Sequence, residues 1–252
     1  MQCKVIALIV AGGSSRRFAS KVPKQYLRYK NKPIIAHTIE RFLMHPQIDQ
    51  VKVVIRPEDL VLYKDAVKTK DILPPAYGGP ERQDSVRLGL ESIAEFNPEI
   101  VLIHDACRPF INDQVISEII EALKYCQGAI AATAATDTIK MVDTNDNTII
   151  KTVNRKLIFH AQTPQGFRFK EIFRLHKLAA DRHFTDDAAI FEAYEKPVKI
   201  ILSSRSNIKI TVPEDIPEDA YNSIHDAHTE VCPLAKYAYM WYLLEHERAL
   251  SC

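Results

Sequence analysis

The sequence predicts an α/β fold, a Rossmann-like, doubly wound and mainly parallel sheet with helices on both faces. Two observations carry this. Apolar or β-branched runs of strand length alternate with stretches of helical period, the pattern of successive βαβ units. The runs are continuous rather than alternating, as strands covered on both faces require. One large unit of this kind accommodates most of the 252 residues.

The expected strands are Val5–Val10, Val51–Ile55, Ile100–His104, Ala129–Thr133 and Val198–Leu202. Between them, Pro33 sits at a first-turn position ahead of the apolar stripe Ile34, Ile35, Ile39, Phe42 and Leu43. Val86, Leu90 and Ile93 recur at helical spacing, and Asn112 stands where it can cap a helix bearing Val115, Ile116, Ile119, Ile120 and Leu123. All three stripes read as core-facing.

Two regions depart from the pattern. Residues 137–155 alternate on either side of the turn-rich Asp143-Thr144-Asn145-Asp146-Asn147 and predict a protruding β-hairpin arm. Its apolar face (Ile139, Met141, Ile149) is expected to be buried against a second copy, making a homodimer. Residues 216–252 form a C-terminal extension of unassigned role beyond a main unit of 1–215. Pro217 and Pro233 interrupt it ahead of the aromatic cluster Tyr237–Tyr242, which includes Trp241 and reads as a packing stripe.

Composition narrows the function classes. An apolar fraction of 46% with 26% charged residues describes a packed globular chain. A formal net charge of +1 gives no general attraction to nucleic acid or membrane, so any anion site must be local. The apolar stretch Val5–Val10 is far too short for a membrane span, lacks a basic segment before it, and reads as a first strand. The five cysteines (Cys3, Cys107, Cys126, Cys232, Cys252) show neither zinc-ligand nor C-x-x-C spacing, which fits reduced thiols in the cytoplasm.

The chemistry gathers at strand ends. Ala11-Gly12-Gly13-Ser14-Ser15-Arg16-Arg17 follows the first strand, then Pro23-Lys24-Gln25. Glycines there let backbone N–H groups approach phosphate oxygens, and Arg17 and Lys24 add the charge a polyphosphate needs. A plain βα turn with a solvated arginine pair is the blander reading. The spelling is neither G-x-G-x-x-G nor G-x-x-x-x-G-K-[ST], which disfavours dinucleotide and Walker-type sites. Asp105 lies just beyond the strand starting at Ile100. A lone carboxylate in that place holds Mg²⁺ when substrate phosphates supply other ligands; mutual pairing with Arg108 is the alternative. His104 and Cys107 read as structural.

With these two segments, Gly78–Val86 (Gly-Gly-Pro-Glu-Arg-Gln-Asp-Ser-Val), Asp137–Lys140, Ala161–Gln165, Thr185–Ala188 and Asn207–Thr211 occur in one order, and the chain from Lys4 to Asp215 resembles the 2-C-methyl-D-erythritol 4-phosphate cytidylyltransferases of the non-mevalonate isoprenoid pathway. The resemblance implies transfer of CMP from CTP to that phosphorylated polyol, with release of pyrophosphate and a divalent metal, Mg²⁺. It implies that Arg17 and Lys24 stabilise the transition state, that Lys209 contacts the α-phosphate, and that Ala11, Gly12, Gly13, Gly79 and Ser85 surround the cytidine. It further assigns the metal to Asp105 and the acceptor to Arg108, Thr138, Thr163 and Thr185, with Arg155 delivered across the dimer interface. Pro80, Val212 and Asp187-Ala188-Ala189 vary the family pattern without altering a charged catalytic group. In some relatives a cyclodiphosphate synthase follows; Asp226-Ala227-His228 has the spacing of its metal motif but not the framing glycines.

Ribitol-5-phosphate cytidylyltransferase shares several of these motifs and differs in its acceptor. A dehydrogenase would need the missing G-x-G-x-x-G turn. A non-catalytic nucleotide-binding regulator would be expected to have lost Lys24, Asp105 or Lys209, and all three are present.

Overall fold

The computed structural model describes residues 4–13, 22–69 and 71–216. Arg17, most of the 216–252 extension with its aromatic cluster and Asp226-Ala227-His228, and Cys3, Cys232 and Cys252 lie outside the described residues.

In chain order the strands and α-helices are β1 (Val5–Val10), β2 (Arg28–Tyr29), β3 (Lys32–Pro33), α1 (Ile34–Leu43), β4 (Gln50–Ile55), α2 (Leu60–Ala66), β5 (Ala76–Tyr77), α3 (Arg82–Ser92), β6 (Ile100–Asp105), α4 (Asp113–Ala122), β7 (Gly128–Ala134), β8 (Lys140–Val142), β9 (Ile149–Thr152), β10 (Phe159–Arg168), α5 (Phe169–Leu178), α6 (Asp187–Ala193) and β11 (Lys199–Leu202). Seven strands form the central sheet in the order β11-β7-β10-β6-β1-β4-β5. Six run parallel, and β10 lies antiparallel between β6 and β7.

β1 explains why the sheet needs covering twice. Its side chains alternate between faces: Ala7 and Ile9 pack with Ile35, Ile39 and Phe42 of α1 and Ile116 and Ile119 of α4. Ile6, Leu8 and Val10 pack with Val86 and Leu90 of α3, Ile172 and Leu175 of α5 and Phe191 of α6. Every residue of β1 is buried, so the strand reads as a continuous apolar run. The expected Asn112 cap is in place, its side chain accepting the Gln114 N–H at 2.7 Å at the head of α4, while Pro33 stands one residue before the first turn of α1, as its N-cap.

β10 does not follow the apolar-run rule. Its sequence, Phe-His-Ala-Gln-Thr-Pro-Gln-Gly-Phe-Arg, is polar, yet Gln162 to Phe167 are buried. Between Ala161 and Gln165 its pairing with β7 shifts, so that Gln162, Thr163 and Pro164 stand against Ala131; the Thr163–Pro164 peptide is cis. This bulge breaks the two-residue period and interrupts the ladder. The buried Gln162, Thr163 and Gln165 side chains are satisfied by hydrogen bonds with Asn207, His104 and Asp186 instead.

The arm is present as the antiparallel pair β8–β9, with Lys140 opposite Thr152 and Met141 opposite Lys151. Met141, Val142, Ile149 and Ile150 are exposed on it. Among the described residues no helix is long and apolar enough to cross a membrane.

Gly166 of β10 marks the tightest packing of sheet against helix. A Cβ there would fall 2.4 Å from Ile119 Cγ2 and 2.8 Å from Leu102 Cδ2, both in the buried core. Gly166→Ala is expected to destabilise the fold by about 1–3 kcal/mol through overpacking. Urea unfolding checks this, and an unchanged midpoint would contradict the packing.

Candidate active site

The chain leaves β1 toward β4 on one side and later returns to β6 on the other, so the strand order reverses between β1 and β6. Open α/β sheets bind ligands in the crevice at the carboxyl ends of such neighbours. Three backbone links bring the relevant segments side by side at that edge. The Ala11 N–H donates to Val54 O at 2.8 Å, Ala106 N–H to Val10 O at 3.0 Å, and Gly78 N–H to Ile55 O at 2.8 Å.

On the β1 side, the glycines make room around Ser85, which is buried in the first turns of α3. A Cβ on Gly12 would approach Ser85 Oγ to 2.9 Å, one on Gly78 to 2.5 Å, and one on Gly79 would meet Asp84 Cβ at 2.5 Å. No described glycine has a positive φ. Space, and not a left-handed backbone, is why glycine stands at these positions. A Cβ on Gly13 meets nothing, and Gly13 is exposed at the mouth of the crevice. Ala11 is buried, and its carbonyl accepts the Gln25 Nε2–H at 2.8 Å. That bond fixes the short 3₁₀ turn Lys24–Tyr26 against the end of β1. The Lys24 ammonium acts electrostatically on both Cys107 and Asp215, which places its charge beside the crevice.

On the β6 side, Asp105 is buried among cations. Its carboxylate meets Lys209 Nζ at 2.8 Å, Arg82 Nε at 3.3 Å and Arg108 Nε at 3.7 Å. Burial alone would push this carboxyl toward its neutral form. The charges of Arg82, Lys209 and Arg108 outweigh burial and hold it far below the usual carboxylate range, so it is ionised. Arg108 Nη1 also donates to Asn207 O at 2.8 Å, while burial lowers the pKa of its guanidinium.

Thr163, brought in by the β10 bulge, ties the end of β6 together. Its Oγ1 accepts the Asp105 N–H at 3.1 Å and lies 3.0 Å from His104 Nδ1. His104 Nε2 lies 3.0 Å from Arg108 O, which can only accept. Nε2 therefore carries the proton, and the Thr163 hydroxyl donates to Nδ1. Burial pushes the His104 pKa down to about 4, consistent with this neutral tautomer. Burial likewise pushes the Cys107 thiol up to about 11. Both residues are structural, as their sequence positions suggested. Asn207 completes the frame, its Nδ2 donating to Gln162 Oε1 at 3.1 Å and to Thr163 O at 2.9 Å.

The fold thus gathers Ala11, Gly12, Gly13, Gly79, Ser85, Lys24, Asp105, Arg108, Thr163 and Lys209 around one crevice. Thr138 and Arg155 belong to the arm segment. Both are exposed, and Arg155 donates to Thr136 O without bonding the Asp105 cluster. Thr185 is exposed immediately before Asp186, which caps α6 through the Ala189 N–H at 2.9 Å. Sequence reasoning passed over Arg82, which bridges Asp105 to the buried Asp187 at 2.8 Å. Its place in the Gly-Gly-Pro-Glu-Arg motif was visible, but partners 23 and 105 residues away were not.

Thr163→Val removes the hydroxyl that serves both His104 and Asp105. Leaving those two buried groups unmatched is expected to lower stability by about 1–3 kcal/mol. Thr163→Ser, which keeps the hydroxyl, should recover most of it. Thermal melts of the two variants decide; equal losses would show that Oγ1 does not matter.

The family model for 2-C-methyl-D-erythritol 4-phosphate cytidylyltransferase matches residues 5–221. The chain is 41% identical over 222 residues to the "2-C-methyl-D-erythritol 4-phosphate cytidylyltransferase" of Syntrophus aciditrophicus, covering 86% of this chain and 94% of the relative. It is 41% identical over 213 residues to the "Bifunctional enzyme IspD/IspF" of Paramagnetospirillum magneticum, covering 84% of this chain and 55% of that protein. The chain therefore spans about half the length of the bifunctional relatives it matches. Among solved structures, 4-diphosphocytidyl-2C-methyl-D-erythritol synthase from Anaerococcus prevotii superposes with a TM-score of 0.76 at 31% identity, over 85% of this chain and 93% of the other. With the family model matched along most of the chain and a relative covered over 94% of its length at 41% identity, this chain belongs to the 2-C-methyl-D-erythritol 4-phosphate cytidylyltransferases.

Proposed function

We propose that the protein transfers CMP from CTP to 2-C-methyl-D-erythritol 4-phosphate and releases pyrophosphate. The observation that carries this reading is the Asp105 carboxylate among Lys209, Arg82 and Arg108, set beside the glycine-lined turn after β1. Such a crevice offers concentrated positive charge to polyanions and one ionised oxygen donor to a metal.

The chemistry needs no nucleophile from the protein. An oxygen of the acceptor's phosphate attacks the α-phosphorus of CTP, a new phosphorus–oxygen bond forms, and the bond to the β-phosphate breaks as pyrophosphate leaves. Negative charge spreads over the equatorial oxygens and the leaving group, so fixed cations lower the barrier most. Arg17, Lys24 and Lys209 are assigned that role. Ala11, Gly12, Gly13, Gly79 and Ser85 hold the cytidine. Arg108, Thr163 and Thr185 bind the acceptor with Thr138 of the arm and the partner subunit's Arg155.

Asp105 fits a divalent metal of the Mg²⁺ type. It supplies a single ionised carboxylate, and among the described residues no group of three His, Cys, Asp or Glu side chains forms a cage. Mg²⁺ accepts such a site because it keeps waters and takes phosphate oxygens as ligands. With the Asp105 carboxylate as its protein ligand, it would neutralise charge on the nucleotide's phosphates.

The exposed apolar residues Met141, Val142, Ile149 and Ile150 support dimerisation through the arm. Residues 1–215 are read as the nucleotidyltransferase unit, with a separate extension beyond it. The free Cys107 and Cys126 support a cytoplasmic setting.

Pyrophosphate release with CTP and Mg²⁺ tests the reaction, with methylerythritol 4-phosphate, ribitol 5-phosphate or no acceptor present. Release with the first alone is expected; release with ribitol 5-phosphate alone would transfer the mechanism to the other acceptor. Lys24→Ala and Lys209→Ala should each lower kcat by about 10²-fold or more, and near-normal turnover in both would refute the assignment. Light scattering at micromolar concentration should give a dimer, and Ile149→Asp with Ile150→Asp should give monomers with a raised acceptor KM. A wild-type monomer would remove the arm from the site.

A further inference from the structure

We propose that Arg82 is a positioning residue for Asp105, anchored from behind by a buried Asp187–His176 pair, and that this bridge locks the nucleotide side of the crevice to its acceptor side. The inference rests on the reading of the site as nucleotidyl transfer.

Among the described residues three cations pair with Asp105, and they are not equivalent. Lys209 ends on a flexible four-carbon stem that is about a third exposed, and it contacts one carboxylate oxygen, Oδ2, at 2.8 Å. Arg108 lies at 3.7 Å from the same Oδ2. Arg82 meets the opposite oxygen, Oδ1, at 3.3 Å through Nε. The far end of its guanidinium is held as well: Nη2 donates to Asp187 Oδ2 at 2.8 Å. A planar guanidinium gripped at both ends by carboxylates has little freedom to turn, which a lysine ammonium does not reproduce.

Both carboxylate oxygens of the anchor, and the helix start that carries it, are held. Asp187 is 1% exposed and His176 is fully buried. His176 Nε2 donates to Asp187 Oδ1 at 3.1 Å, so each Asp187 oxygen has one partner. The Asp187 and Ala188 N–H groups both donate to Gln165 Oε1 at 3.1 Å, and Gln165 Nε2 donates to Asp186 Oδ2 at 2.8 Å. Burial works against charge on both Asp187 and Arg82, yet each is held in its charged form by the other and by its remaining partner. The partly exposed Lys209 ammonium can turn toward a phosphate while Arg82 keeps Asp105 aimed.

The bridge also spans the site. Arg82 is the first residue of α3, three positions before Ser85 and three after Gly79, the residues assigned to the cytidine. Asp187 opens α6, two positions after Thr185, which is assigned to the acceptor. A displaced guanidinium would therefore move the two half-sites relative to each other. Small misplacements of reacting groups cost about 10²-fold in rate.

Steady-state kinetics on Arg82→Lys and Asp187→Asn, beside the wild type and with calorimetric CTP binding and thermal melts on all three, test the bridge. Arg82→Lys keeps the charge but not the two-ended grip; Asp187→Asn keeps the shape but not the charge. Expected are a kcat lower by about 10²-fold for Arg82→Lys and about tenfold for Asp187→Asn, a raised acceptor KM, and a CTP Kd within about threefold of wild type in folded protein. Wild-type kcat and KM in both variants would overturn the proposal. So would loss of the folded state in both, which would make the bridge a stability element alone. A wild type that turns over while the variants match it rejects the bridge and leaves the reaction standing, whereas a wild type without turnover rejects the reaction.

Discussion

A carboxylate kept ionised in a buried ring of cations is the constraint on which the rest of the site depends. Burying Asp105 without Arg82, Arg108 and Lys209 would leave it protonated or unfold the strand end that carries it. Those three cations come from the head of α3, the turn after β6 and the segment after β11. No local stretch of chain contains the site. It exists only when the sheet has assembled in its order, and the hydrogen bonds of Thr163 and Asn207 report that β10 has been inserted between β6 and β7.

The same arrangement explains the division of labour around the crevice. Glycine is demanded at positions 12, 78 and 79 by the close approach of Ser85 and Asp84, which brings α3 against the end of β1. The helix then presents Arg82 to Asp105. Packing around the glycines and electrostatics around Asp105 are therefore linked through one helix, whose N-terminus is closed by the Glu81 and Asp84 capping box.

Much of this was legible in the sequence, for identifiable reasons. Strands buried on both faces are continuous apolar runs, so β1, β4, β6 and β7 announced themselves within a residue or so of their ends; β11 was found by the same signal, but it is an edge strand with only Ile201 buried, not one covered on both faces. Asn112 and Pro33 marked helix starts because their local chemistry permits little else. The arm showed through its alternation and its Asp/Asn-rich turn. β10 was illegible as a strand because its core-facing positions are Gln and Thr, chosen for hydrogen bonding to Asp186, Asn207 and His104 and not for apolar burial. Asp105, Lys24 and Lys209 stood out as charged groups at strand ends or in recognisable motifs. Arg82 did not, since an arginine's role depends on which carboxylates the fold brings to it, and its partners lie far away in sequence. Asp187 and His176 carry even less signal: a buried hydrogen-bonded pair looks like two surface residues until the helices that bury it are in place.

The most direct test of the account is a crystal structure of the protein with CTP and Mg²⁺. It should show the triphosphate along the turn after β1, the metal on the Asp105 carboxylate, Lys209 and Arg108 turned toward phosphate oxygens, and Arg82 still bridging Asp105 and Asp187. A nucleotide bound elsewhere, with Asp105 still paired to Lys209, would contradict the claim that the ionised carboxylate and its cations form the reaction centre.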